Sequence, residues 1–107
     1  MTLRPPGASS RPAQVVALDY EIAQEQAGAL GRLGRALEAA LAALSDHDVE
    51  HTERDSARAR LVQDASDALW CFIIQREACG LRDPRPVIRD YRVPAEVHAR
   101  MGIFRRR

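Results

Sequence analysis

The sequence predicts an all-α protein: an antiparallel hairpin of two long helices with one or two short helices from the C-terminal third, closing into a helical bundle on dimerisation. Three observations predict it. Apolar residues recur at alternating spacings of three and four along two long stretches, the repeat of a helix-packing face. Stop and start signals at Ser45 to Thr52, Gly80, Asp83-Pro84 and Pro94 divide the chain at helix-sized intervals. The chain has 107 residues, too few for two separate cores.

Residues 1–17 carry Pro5, Pro6 and Pro12 and no apolar periodicity, so they read as a flexible leader. A single helical domain follows over 18–102, with a basic tail at 103–107. Asp19 is placed to cap the first helix, with Leu18 and Ala23 as a hydrophobic staple and Glu21 and Glu25 suiting the positive end of the dipole. Its seam is Ala23, Gln26, Leu30, Leu33, Leu37, Ala40 and Leu44. Ser45 to Thr52, rich in acids and holding two histidines, reads as the link between the helices. Thr52 and Asp55 form a capping arrangement for a second helix that runs to Cys79, with the seam Leu61, Ala65, Ala68, Phe72, Gln75 and Cys79. Gly80 followed by Leu81 has the form of a Schellman stop.

A short link makes the helices antiparallel, with partner numbers adding to about 98 to 101. Leu37 then faces Leu61, Leu33 faces Ala65 and Ala68, and Leu30 faces Ala68 and Phe72, large against small. Gln26 and Gln75 fall at one level and are expected to hydrogen-bond across the hairpin. Gly28, Gly31 and Gly34 each cost about 1 kcal/mol inside a helix; close approach of Phe72 to Gly28 and of Leu69 to Gly31 is the expected compensation. The run Leu69 to Ile74 is apolar on every face and needs a second neighbour. The C-terminal third supplies one. Asp83 caps and Pro84 starts a short helix through Tyr91, and Pro94 starts another through Met101, with the apolar stripe Val93, Val97 and Met101.

The residues Tyr20-Glu21-Ile22, Glu25-Gln26-Ala27, the block Gln75 to Arg82, Val87-Ile88, Tyr91, Val93-Pro94, Glu96-Val97 and Arg100-Met101-Gly102 together resemble a small uncharacterised bacterial helical family of about a hundred residues, the length of one domain. The resemblance spans nearly all of 18–102, and the Gln75 to Arg82 block is its most specific part. It implies a compact helical protein and no particular activity, so no functional residue carries over. His98 stands where an aliphatic residue is expected.

Charge excludes little as a total, since 16 basic and 15 acidic residues leave +1. Lys and Asn are both absent, which points to base composition of the gene, so arginine abundance by itself carries no functional weight. The distribution is more telling: Ser45 to Glu53 is acidic, while the segment from Gly80 onward holds eight Arg against three acids. Arg89, Arg92 and Arg100 flank two short helices joined at Tyr91 to Pro94, a loose likeness to a helix-turn-helix. Against that reading, Arg92 occupies the usual turn glycine and Ala95 and Ala99 would face the bases.

His47-Asp48-Val49-Glu50-His51 matches the letters of a zinc-peptidase motif, but the motif needs a third ligand and a substrate cleft, and a solvated link is the plainer reading. Gly28 to Gly34 lie mid-helix and not after a strand, so a phosphate loop is excluded. Cys71 and Cys79 are roughly 12 Å apart along one helix, beyond disulfide reach, and read as reduced packing residues. No cofactor site, metal triad or activated nucleophile emerges. There is no apolar run of about 18 residues for a membrane span and no signal-peptide core, so the expected location is the cytoplasm. The expected function is therefore a non-enzymatic interaction or scaffold protein acting as a homodimer, open to a further protein partner. Its interaction surface is expected at Trp70, Ile74, Arg89, Arg92 and Arg100. The alternative is a DNA-associated factor using the arginine-rich C-terminal third.

Overall fold

The computed structural model describes residues 12–103, and among them there are four helices and no strand. Helix α1 (Ala13–Glu50) and helix α2 (Ser56–Ala78) form the antiparallel hairpin, and α3 (Arg85–Asp90) and α4 (Ala95–Ala99) fold back on it. The molecule is elongated, 74 × 26 × 23 Å. No helix among the described residues is long and apolar enough to cross a membrane.

Helix α1 is longer than expected at both ends. It starts at Ala13, ahead of the expected start at Leu18. Pro12, at φ −59° and ψ 149°, presets the entry, and its carbonyl accepts the Val15 and Val16 N–H groups at 3.0 and 3.1 Å. Asp19 therefore lies inside the helix and is not its cap. At the other end the expected link, Ser45 to Thr52, is helical through Glu50. Leu44 is buried there, and Asp48, one turn on, is bound by Arg58 of α2. A tertiary ion pair overrides the poor match of these acids to the negative end of a helix dipole.

That extension moves the apex of the hairpin and shifts the register. The pairs seen are 48 with 58 and 34 with 72, each adding to 106 rather than about 100. Buried Leu37 now stands level with Leu69, and Leu44 with Val62. Phe72 lies against Gly34, not Gly28, while Gly28 and Gly31 meet only the side chains of Arg32 and Arg35. The expected bond between Gln26 and Gln75 is lost to the same shift: Gln75 Nε2 instead lies 3.8 Å from Cys79 Sγ in its own helix.

The buried stripe of α2 is Arg58, Val62, Ala65, Leu69 and Phe72, with Ser66 and Ile73 beside it. It is rotated from the expected seam because α2 packs against α4 as well as α1 and must serve two neighbours at once. Cys71 consequently points outward and is exposed, which corrects its assignment to the core.

The local stop signals behave as read. Asp55, not Thr52, caps α2, its Oδ1 accepting the Arg58 N–H at 2.8 Å. At the far end Leu81 N–H donates to Arg76 O and Gly80 N–H to Glu77 O, with Gly80 at φ 88°, a Schellman motif. Asp83 Oδ1 accepts the Arg85 N–H at 3.0 Å and Pro84 is already helical, so α3 starts as expected. His98 is exposed, and the stripe Val93, Val97 and Met101 packs without it.

The end of α3 repeats the Schellman pattern without a glycine. Arg92 N–H donates to Arg89 O and Val93 N–H to Ile88 O, with Arg92 itself at φ 52°. The left-handed conformation costs a non-glycine residue about 1 kcal/mol. Arg92→Gly is therefore expected to raise the melting temperature by about 5 °C in a calorimetric scan; a fall would mean that the guanidinium contributes more than the backbone loses.

Candidate interaction surface

Three features outside the apolar core carry the chemistry of the surface. The first is an ion cluster where α1, α2 and α4 meet. Arg58 is 9% exposed, and its Nε and Nη2 donate to Asp48 at 2.7 and 3.2 Å. Its Nη1 donates to Glu96 Oε2 at 3.0 Å and its Nη2 to Glu96 Oε1. Arg54, more exposed, adds a contact to Glu96 at 3.4 Å. The Arg58 hydrogen bonds hold the carboxyls of Asp48 and Glu96 below their ordinary values, and the two carboxylates push the guanidinium up in return. Asp55 is lowered chiefly by the Arg58 backbone N–H. All four carboxylate oxygens of Asp48 and Glu96 accept from Arg58, so the cluster is built for cohesion and offers no free base.

His47 lies beside this cluster, with Nε2 3.6 Å from Asp55 Oδ1 and its ring stacked on His51 at 4.5 Å between centroids. The zinc-peptidase letters thus fall on the last turn of α1 and its cap, with two rings stacked face to face rather than converging on a point. Among the described residues no group of three or more His, Cys, Asp or Glu is placed to hold a metal ion.

The second feature is a set of recesses along α1 on the side covered by α3. One, ≈ 530 Å³, is lined by Leu41, Leu44, Val49, Tyr91, Arg92 and Pro94 among others. Of the expected surface residues, Arg92 belongs here. Arg89 is exposed and pairs with Asp90 at 2.9 Å. Arg100 lies apart, its Nε and Nη2 donating to Gln63 Oε1 at 3.1 and 2.9 Å. Buried Gln63 also donates to Asp67 and to Ile103 O, both at 2.8 Å, so Ile103 belongs to the folded unit; 104–107, the rest of the expected basic tail, lie outside the described residues. Trp70 and Ile74 share one face of α2 a turn apart. The Trp70 ring is half-covered by the backbone at Gly102, and Ile74 is exposed. The five residues are thus distributed over α2, α3, the turn after α3 and the end of α4.

The third feature was not foreseen. In the observed register Ala78, the last residue of α2, stands level with Gly28, so residues 13–27 of α1 run on alone for roughly 22 Å. Leu18 and Ile22 are 54% and 48% exposed, five full helical turns before Ala36 and Ala40 and so on the same face of α1 as those alanines, and Val16 and Tyr20 are exposed too. The bare side of the hairpin is equally apolar. Ala36, Ala39 and Ala43 are exposed on α1, roughly half a turn from Gly34, where Tyr91 of the covering layer packs. Leu61 and Ala68 of α2 are only partly buried.

Sequence reasoning missed Arg58, although its position one step before Val62, Ala65, Leu69 and Phe72 at spacings of four, three, four and three marks a charge on a packing stripe. It missed the projecting helix because the length of the projection depends on the register. Comparison with curated proteins and with solved structures gives no match. Residues 7–107 match the Family of unknown function (DUF6665), and with nearly the whole helical chain inside that match, the protein belongs to this family.

Proposed function

We propose that this is a non-enzymatic helical interaction protein that acts as a homodimer in the cytoplasm. One observation carries the reading: α1 continues past the end of α2 with Leu18 and Ile22 more than two-fifths exposed, an arrangement that a small monomer gains nothing from keeping. Sedimentation equilibrium at micromolar concentration is expected to give twice the chain mass of 11.9 kDa; a single-chain mass there would overturn the reading. Exposed Ile74, beside Trp70, is the point offered to a further protein partner.

The alternative, a DNA-associated factor, has narrower support. Asp90 engages Arg89 and Gln63 engages Arg100, which leaves Arg92 on a different side of α4 from Arg100. A gel shift on generic duplex DNA that weakens steeply with salt would favour it.

A further inference from the structure

We infer that a second copy of this chain lays residues 13–27 of its α1, antiparallel, onto the alanine-rich exposed face of α1, about a two-fold axis beside Gly28 and Ala29. The inference rests on the homodimer reading and adds to it the surface, the direction and the pairing.

Four observations converge on that axis. The first is charge. Between 13 and 31 the acids are Asp19, Glu21 and Glu25 and there is no basic residue, whereas the next charges are Arg32 and Arg35. Glu21 and Arg35 are each seven residues from Gly28, and Glu25 and Arg32 are three and four away. An antiparallel copy therefore sets Glu21 against the partner's Arg35 and Glu25 against the partner's Arg32, twice over by symmetry. Arg32 now makes its ion pair with Glu25 of its own chain, 3.1 Å away, with both side chains largely in solvent and free to exchange partners.

The second is size. The same axis puts Leu18 level with the partner's Ala39 and Ile22 level with the partner's Ala36, so large side chains on the projecting half meet small ones on the other. The third is length. The projection of 13–27 matches the exposed alanine face from Ala29 to Ala43, and the resulting helix pair, roughly 45 Å long, is of the extent that buries the ~800 Å² per partner of a stable interface. The fourth is continuity. Leu18 and Ile22 lie on the face of Ala36 and Ala40, five turns on, so the face that the partner's α1 covers runs unbroken from the projecting half to the hairpin, and each end of the dimer becomes a three-helix unit.

Two experiments test this in the full chain. In sedimentation runs, E21R/E25R and R32E/R35E are each expected to weaken self-association roughly tenfold or more, since like charges then oppose across the axis; the quadruple reversal is expected to restore it. The second uses a C71S/C79S background. Chains carrying Leu18→Cys mixed with chains carrying Ala39→Cys are expected to give a disulfide-linked pair on mild oxidation, and Leu18→Cys alone to give none. A dimeric parent that forms no mixed disulfide, or whose affinity ignores the charge reversals, overturns this interface and leaves the homodimer reading standing. A monomeric parent overturns both.

Discussion

Arg58→Met is expected to lower the melting temperature by about 5–10 °C, the largest loss for any single substitution outside the apolar core. Methionine fills the arginine's stem volume but leaves Asp48 and Glu96 facing one another without a cation. Their carboxylates are partly solvated, with side-chain exposures of 42% and 37%, which keeps the loss below that of a fully buried broken pair. The same contacts set a pH dependence. Asp48 and Glu96 are held below their ordinary values in the fold, so the unfolded chain binds protons first as pH falls. Their contribution is complete above the ordinary carboxylate range, about pH 4 to 5, and is lost as pH drops through the folded values. In Arg58→Met that contribution is already gone. The gap in melting temperature between parent and variant should therefore be wide at neutral pH and close on acidification, as read by circular dichroism; a gap independent of pH would show that packing, not charge, carries the effect.

Gly34→Ala is expected to destabilise by about 1 kcal/mol, although alanine is the better helix former. A Cβ at 34 would sit 2.9 Å from Tyr91 Oη and 3.3 Å from Phe72 Cε1. Neither ring can retreat cheaply. They pack edge to face at 5.4 Å, and Tyr91 is the residue that ends α3 just before the left-handed Arg92. The overpacking cost of about 1–3 kcal/mol outweighs the propensity gain of about 1 kcal/mol. Gly31→Ala is the matched control: its Cβ would meet only the mobile end of Arg35 at 3.4 Å, so the propensity gain survives and stability rises. Chemical denaturation of the two variants should move the midpoints in opposite directions, and a stabilised Gly34→Ala would refute the close approach.

How much of this was legible in the sequence depended on the range of the interaction involved. Apart from the last helix ending at Ala99 rather than at the expected Met101, the Gly80 stop, the Asp83-Pro84 start and the two short helices rest on residues within one turn of each other and appear as read. The register does not. Asp46, Asp48 and Glu50 look like a link by propensity, and only the bond from Arg58, ten residues away in sequence from Asp48, makes them helical. Five to eight residues of register follow from that one pair. Phe72 and its glycine were rightly coupled but wrongly numbered for this reason. Arg92 misled in a different way: the turn expects glycine, and arginine adopts the glycine conformation instead.

The Gln63 clasp has a consequence for how the chain keeps its last segment. Helix α4 is five residues long, less than a nucleated helix needs to persist in water. Its order is supplied from outside: the buried Ser66 hydroxyl lies 2.9 Å from Val97 O, and Gln63 grips both Arg100 and Ile103. The C-terminal turn is in this sense a passenger on α2, ordered by what α2 presents to it: Ser66 and Gln63, Arg58 on Glu96, and the core that buries Val97. Loss of the Gln63 and Ser66 side chains would therefore loosen Arg100 to Ile103 before it touched the packing of the hairpin, whose stripe on α2 is Val62, Ala65, Leu69 and Phe72.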